Sequence, residues 1–158
     1  MGLSPRHKYS VIGLDPDRTA IAVARDLRIS PKASREICKT IKNLYAEEAR
    51  TFLEDVIAKK KLVPFKRYKG KLGHHRGLEE WKWYCGRYPV KAAKYILRLL
   101  DNLINNAEYK GIDVERSRII HAVTHRGPKI KRFFPRAQGR SSPKYDTLIH
   151  VEIALEEE

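Results

Sequence analysis

Basic and aromatic residues are interleaved in two segments of the chain, and this combination is typical of phosphate and base binding. Residues 129–144 read KIKRFFPRAQGRSSPK, with six Lys or Arg, no acid and two adjacent phenylalanines. Residues 59–78 read KKKLVPFKRYKGKLGHHRGL, with eight Lys or Arg and again no acid. Arg and Lys bind phosphate oxygens, and aromatic rings stack on unpaired bases. Both segments therefore predict contact with nucleic acid.

The excess charge of the chain lies almost entirely in such segments. The 158 residues carry a formal net charge of +14. Residues 59–78 and 116–145 together hold 17 Lys or Arg and no acid, whereas the other 108 residues hold 16 basic and 19 acidic side chains. A polyanionic partner is therefore expected. Neither segment has the amphipathic helical period of a membrane-surface helix, so we expect nucleic acid and no membrane partner.

Other groupings of reactive side chains are weaker candidates for a functional site, whether metal-binding or catalytic. His74, His75 and Cys85 could bind a metal, but a structural zinc site needs four ligands, usually in paired spacing. His121 and His125 share one face of a predicted strand, yet no acid lies in the same stretch to orient an imidazole. Phosphate-binding loops and nucleophile elbows are absent from the sequence. We therefore expect a protein that is not an enzyme, with no catalytic residues, no metal and no cofactor.

Cysteine content and hydropathy indicate a reducing compartment. Cys38 and Cys85 are the two cysteines, too few for a disulfide framework. No apolar run approaches the roughly 20 residues of a membrane span. The first ten residues, MGLSPRHKYS, lack the apolar core of a signal peptide and make a poor myristoylation site. A soluble, cytoplasmic protein is the expectation.

Apolar periodicity predicts three helices. Ser30 and Pro31 mark the first helix start, as N-cap and first helical residue. A second apolar stripe ends at Ile57, before Lys59–Lys61 and Pro64. The longest stripe covers 89–109 and stops before a glycine, Gly111.

Three strands complete the predicted scaffold. A β-branched run covers 19–29, a second strand covers 118–126, and apolar and other residues alternate from Ile149 to Leu155. The order predicts an α+β fold, with three helices packed on a small antiparallel three-stranded sheet and a long protruding β-hairpin.

Residues 129–144 join the last two predicted strands, so they should form the end of the hairpin. We expect its tip near residues 132–140, with a bend at Gly139 and with Pro128, Pro135 and Pro143 along the arm. An isolated two-stranded ribbon is marginal in water, so the arm should become ordered only against a partner. The expected organisation is a single domain, with a globular part at about 15–125 and 146–155, an arm at 126–145 and a basic insertion at 64–88.

Several motifs resemble a known family. RISPKASREI, PVKAAKYILRLLDNLINNAE and KRFFPRAQGRSSP followed by HVEI are similar to the large-ribosomal-subunit protein numbered twenty-two in bacterial nomenclature. PFKRYKGKLGHHRG resembles its archaeal and eukaryotic branch. The resemblance covers roughly residues 15–155. It implies a structural protein of the large subunit that binds large-subunit rRNA, stabilises its fold during assembly and lines the nascent-peptide exit tunnel with its hairpin tip.

The resemblance also implies partners. These are large-subunit rRNA, neighbouring large-subunit proteins near the exit tunnel and the nascent peptide in passing. We expect no DNA partner, because the longest helix carries only Lys91, Lys94 and Arg98 as early cations, few for a recognition helix. A basic nucleic-acid-binding regulator acting outside the ribosome is the alternative.

Charge pattern and resemblance together indicate the site residues. The residues expected to bind rRNA are Lys32, Lys66, Arg67, Lys69, Lys71, His74, His75, Arg76, Arg126, Lys129, Lys131, Arg132, Arg136, Arg140 and Lys144. The residues implied to line the tunnel at the tip are Arg132, Phe133, Phe134, Pro135, Arg136, Ala137, Gln138, Gly139 and Arg140. The roles of the two phenylalanines, stacking on bases or facing the lumen, stay open at this point.

Overall fold

The computed structural model describes residues 9–157, so the expectations about the N-terminal sequence mostly lie outside the described residues. The regular elements follow in chain order: β1 (Thr19–Leu27), α1 (Pro31–Ile41), α2 (Ala46–Ile57), β2 (Val63–Pro64), β3 (Gly86–Arg87), α3 (Val90–Lys110), β4 (Ser117–Pro135) and β5 (Ser141–Glu157). No helix among these residues is long and apolar enough to cross a membrane.

The main sheet has three antiparallel strands in the order β1-β5-β4. Strand β5 is central, with Ala22 of β1 opposite Ile153 and Ala122 of β4 opposite the same residue. The α+β class, the three helices and the antiparallel three-stranded sheet are thus confirmed. The two-residue strands β2 and β3 form a separate small ribbon that the sequence analysis did not predict.

The core lies between the helices and one face of this sheet. Ile149, Val151, Ile153 and Leu155 of β5 are completely buried, as their alternation predicts. The helices contribute the apolar stripes read from the sequence, including Ile37 and Ile41 of α1, Leu53 and Val56 of α2, and Ile96, Leu100 and Leu103 of α3. Burial of these side chains is the main stabilising term of the fold.

The helix ends agree with the sequence in position but differ in one detail. Pro31 is the first residue of α1, but the Ser30 side chain makes no capping hydrogen bond. Instead, the Ser34 amide and hydroxyl both donate to the Ser30 carbonyl, at 3.0 and 2.9 Å. The predicted N-cap position of Ser30 is therefore confirmed, although its side chain does not take part in the capping. Gly111 ends α3 with a left-handed φ of 76°, which glycine adopts without steric cost.

Hydrogen bonds from α3 and the α1–α2 connection occupy part of each outer edge of the body's sheet. Lys110 of α3 donates its Nζ to the Thr19 carbonyl at 2.8 Å, next to the free edge of β1. At the other edge, the Asn43 amide donates to the Ile119 carbonyl at 2.8 Å, and the Ile119 amide donates to Leu44 at 3.0 Å. Covered edges cannot recruit another strand. The body is closed to strand addition at these positions.

Residues 64–88 are folded rather than a plain connection. Pro64, Phe65, Leu78 and Cys85 are buried. The Trp83 indole donates to the Phe65 carbonyl at 3.0 Å, and a 3₁₀ turn spans Glu79–Trp81. The segment is thus a compact layer on the body with its own buried residues.

A buried carboxylate lies on the sheet face opposite the core. Glu152 is 1% exposed and accepts hydrogen bonds from the Ser10 amide at 3.0 Å and from its hydroxyl at 3.1 Å. His121 Nε2 lies 3.7 Å from Glu152 Oε1 and 3.2 Å from Ser10 Oγ. No acid lies near His121 in the sequence, but the folded chain places Glu152 of β5 beside it. In a catalytic triad the hydroxyl and the carboxylate contact different ring nitrogens of the histidine. Here the Ser10 hydroxyl and the Glu152 carboxylate both approach Nε2 of His121, so the arrangement is not a triad.

Bulges shape the sheet where the hairpin leaves the body. Strand β4 has one extra residue between Arg126 and Lys129, which pair with Ile149 and Thr147. Gly127 lies in this bulge, and a Cβ added there would lie 2.9 Å from His150 Nε2 and 3.2 Å from the Leu148 carbonyl oxygen. The His150 ring is itself held, because its Nδ1 accepts the Asp26 amide at 3.1 Å. Bulges bend and twist the strand that carries them.

Substituting Gly127 tests the close packing at this bulge. Gly127→Ala should lower the free energy of unfolding by about 1–3 kcal/mol, because the new methyl group overpacks a fixed ring and a carbonyl. Gly73→Ala is the matched control, since its Cβ meets nothing within 4 Å. Urea denaturation measures both. Equal stability of the two variants would contradict the packing described.

His121 should make stability depend on pH. Burial of the ring lowers the pKa of His121 below its usual 6.5, and the attraction of Glu152 opposes this only in part. The unfolded chain therefore binds the proton first, and stability falls as the pH drops from about 7.5 through 6.5. The loss should be small, because the negative charge of Glu152 offsets part of the effect of burial on the pKa of His121.

The measurement is urea denaturation of wild type and His121→Gln between about pH 7.5 and 5.5. The variant should have the flatter profile, whereas His75→Gln, which removes an exposed histidine, should keep the wild-type profile. Parallel profiles for wild type and His121→Gln would contradict the lowered pKa of His121 in the folded chain.

Candidate nucleic-acid interface

Strands β4 and β5 continue beyond the body as a two-stranded arm. Paired residues run from Lys129 and Thr147 to Pro135 and Ser141. The Arg136 amide donates to the Arg140 carbonyl at 2.8 Å and closes the tip. Gly139 has a φ of 67°, as expected of the bend, and Gln138 also lies in the left-handed region at 57°. Every residue from 129 to 141 is exposed, so the arm has no core of its own.

The arm's cations form no salt bridges within the described part of the chain. Among residues 9–157, no salt bridge within 4.0 Å involves any of the exposed arm cations Arg126, Lys129, Lys131, Arg132, Arg136, Arg140 and Lys144. Cations of the body behave differently: Arg50 approaches Glu54 and Asp101, and Lys61 approaches Asp55. Asp146 is near enough to Arg132 and Lys144 for their charges to lower its pKa, but salt bridges within the described chain do not balance the positive charge of the arm.

The two phenylalanines of the tip point in opposite directions. Phe133 pairs with Pro143 and Phe134 with Ser142, and successive residues of a strand face opposite sides. Phe133 is 66% exposed, whereas Phe134 is 47% exposed with the Lys144 ammonium 4.6 Å from its ring centroid. A single flat surface can therefore contact only one of the two rings.

An ion pair joins the base of the arm to the body. Asp146 is the one acid between residues 117 and 151, and Arg28 contacts it at 2.6 Å just beyond β1. The hydrogen bond and charge of Arg28 hold the pKa of Asp146 below its usual value. This contact constrains the direction in which the arm leaves the sheet.

A buried carboxylate fixes the start of the basic insertion. Glu36 of α1 is 2% exposed and accepts the amides of Lys66, Arg67 and Tyr68 at 3.2, 3.0 and 3.1 Å. Three hydrogen bonds offset the cost of removing a carboxylate from water. Glu36 thereby sets the backbone from which the predicted RNA-binding cations project, a long-range contact with no local signal in the sequence.

Tyr68 lies at the centre of a cationic cluster. Lys32 and Arg35 of α1 lie 5.7 and 5.9 Å from its ring centroid, and Arg67 lies 6.0 Å from it. The fold thus brings two predicted residues, Lys32 and Arg67, to one place. Arg35 is a further cation of this cluster that was not among the predicted residues, although its position one helical turn from Lys32 could have indicated it.

The rest of the insertion presents further cations beside aromatic rings. Lys66 lies 5.9 Å from Trp81 and Lys69 lies 5.6 Å from Trp83, both measured to the ring centroid. The His74 ring meets Tyr84 edge-on at 4.8 Å. The predicted residues of this segment that are exposed are Arg67, Lys69, Lys71, His74, His75 and Arg76. Among residues 9–157, none of them forms a salt bridge.

Two of the three candidate metal ligands lie opposite each other, but they do not belong to a larger ligand group among the described residues. His74 and Cys85 pair through their backbones, and Cys85 is buried. Within the described part of the chain, no group of three or more His, Cys, Asp or Glu side chains could hold a metal ion. Burial raises the pKa of Cys38 to about 11, so its thiol is protonated at neutral pH.

The chain matches known proteins over nearly its whole length. The model of the family described as ribosomal protein L22p/L17e matches residues 22–156. Three similar proteins carry the name large ribosomal subunit protein uL22. The one from Hyperthermus butylicus is 48% identical over 98% of this chain and 99% of its own.

The other two relatives show the same extent of similarity. The protein from Archaeoglobus fulgidus is 48% identical over 96% of both chains, and that from Methanocaldococcus jannaschii is 48% identical over 95% of this chain and 94% of its own. The match spans the helical body, the insertion and the arm, so this chain belongs to the ribosomal protein L22p/L17e family.

Proposed function

We propose that the chain is a structural, non-catalytic protein of the large ribosomal subunit, which binds large-subunit rRNA and stabilises its fold during assembly. The observation that carries the proposal is the exposed arm, whose cations have no carboxylate partner among residues 9–157. The names of its relatives support the assignment to the large subunit. In this role the chain works in the cytoplasm, as part of the ribosome.

The arm's geometry suits a partner that surrounds it. A two-stranded ribbon leaves one backbone edge of each strand unpaired and both faces bare. Folded RNA can meet these edges with phosphates and 2′-hydroxyls, and recognition would then depend on RNA shape more than on one linear sequence. The proposed organisation is one domain with a globular part at 15–125 and 146–155, the arm at 126–145 and the basic insertion at 64–88.

The proposed rRNA contacts lie in two places. The arm would contribute Arg126, Lys129, Lys131, Arg132, Arg136, Arg140 and Lys144. The body would contribute Lys32 and the cations and histidines of the insertion, from Lys66 to Arg76. All are exposed except Lys66, which is half-buried.

We further propose that the tip, residues 132–140, lines the nascent-peptide exit tunnel. The opposed phenylalanines give the tip two different faces. One face carries Phe134 beneath Lys144, and the other carries the bare ring of Phe133. In this arrangement one ring can stack on RNA while the other faces the lumen and the passing peptide. Neighbouring large-subunit proteins near the exit are the remaining proposed partners.

Hydrogen exchange tests whether the arm depends on RNA. In the free chain, amides of 128–144 should exchange almost unprotected, because no packed layer supports the ribbon, whereas amides of 90–104 in α3 should be protected. Addition of large-subunit rRNA should protect the arm selectively. An arm that is already protected in the free chain would contradict the proposal.

Charge reversal at the tip tests the division between arm and body. Arg132→Glu with Arg136→Glu should reduce cosedimentation with large subunits after a high-salt wash at least about 10-fold, since two contacts become repulsive. The free energy of unfolding should change by less than about 0.5 kcal/mol, because both side chains are exposed.

The matched control reverses two exposed cations of α3, Lys94→Glu with Arg98→Glu, and changes the net charge equally. This control should remain with the subunit. Equal loss of both variants would indicate non-specific attraction, as expected of a basic regulator acting outside the ribosome. Unfolding of the tip variant would contradict the separation of arm and body.

A further inference from the structure

We propose that the body carries a second RNA site, separate from the arm: a groove beside Tyr68 that binds one unpaired nucleotide of large-subunit rRNA. This inference rests on the proposed function and deepens it, because it assigns the ligand of a particular groove. The site joins the start of α1 to the basic insertion.

The groove has the size and lining of a nucleotide site. Its volume is about 470 Å³, within the range of about 300–1,000 Å³ for ligand clefts. Tyr68 and Tyr88 supply aromatic walls, Leu72 supplies apolar surface, and Lys32 and Arg87 supply positive charge. Aromatic walls suit a base, and the cations suit its phosphate.

Charge around Tyr68 favours an anion. Lys32, Arg35 and Arg67 all lie within 6.0 Å of one ring centroid, and they come from two different elements. Among residues 9–157, none of the three forms a salt bridge with an acid. A phosphate bound beside this ring would be attracted by all three cations and would neutralise part of their charge.

The fold holds this cluster in place. Adjacent residues of α1 act on it from two sides: Arg35 approaches the Tyr68 ring, and the buried Glu36 accepts the Tyr68 amide at 3.1 Å. Glu36 is therefore a positioning residue, which sets the loop without touching the nucleotide. Because a base-stacking ring and phosphate-binding cations meet in one concave place, unpaired RNA fits better than an acidic peptide, which would need only the cations.

The experiment uses the full chain and large-subunit rRNA from Methanocaldococcus jannaschii, whose own protein is 48% identical to this one. Ultraviolet crosslinking followed by peptide mapping should give a crosslink at Tyr68 or Tyr88 in addition to those of the arm. Tyr68→Leu should weaken binding about 10-fold, because it removes a stacking ring. Tyr68→Phe keeps the ring and should bind within about 2-fold of wild type.

Three further variants distinguish loss of the groove from a folding defect. Tyr109→Leu removes a tyrosine that is 93% exposed outside the groove, and it should bind like wild type. Arg87→Gln changes only an exposed side chain and should reduce the slope of log affinity against log salt by about 0.7. Glu36→Gln should reduce the Tyr68 crosslink selectively, whereas a general loss of stability would reduce the arm crosslinks equally.

Failure of this inference can be distinguished from failure of the proposed function. If wild type binds the rRNA but Tyr68→Leu and Arg87→Gln bind equally well, with crosslinks confined to the arm, the groove is not an RNA site. If wild type shows no salt-dependent binding to the rRNA, the proposed function fails and this inference with it.

Discussion

A two-stranded ribbon that extends beyond its sheet cannot bury its own surface, and the arm of this protein is such a ribbon. Within the arm, each of the two strands pairs only with the other, and every residue from 129 to 141 is exposed. The segment also carries cations without carboxylate partners among residues 9–157. Packing and charge must therefore both be completed from outside, and a polyanion with a shaped surface can supply both.

The body is built to hold this arm in a fixed direction. Its sheet edges are bound in part, by Lys110 at Thr19 on one side and by the Asn43–Leu44 segment at Ile119 on the other. Central strand β5 belongs both to the buried core and to the arm, so core packing anchors the ribbon. The bulge at Gly127 and the ion pair between Arg28 and Asp146 then define where the ribbon departs. A rigid platform reduces the entropy lost when the arm binds.

The helices and main strands could be predicted because their apolar periods are long and regular, as in α3 and in Ile149–Leu155. The exposed cations could be predicted because acid-free segments are visible in the chain itself. Contacts between distant residues could not be predicted in the same way. The acceptance of three amides by Glu36 and the meeting of His121 with Glu152 both depend on tertiary structure. Ser30 shows that a residue can occupy the expected cap position while its side chain caps nothing.

The salt dependence of binding to large-subunit rRNA tests the central claim most directly, because it counts the phosphates that the chain neutralises. Log affinity should fall linearly with log salt concentration. Engagement of the seven arm cations predicts a slope of about −5 or steeper, at about 0.7–0.9 per contact. A slope shallower than about −2 would contradict the account, since the arm's unpaired cations would then not be meeting phosphate.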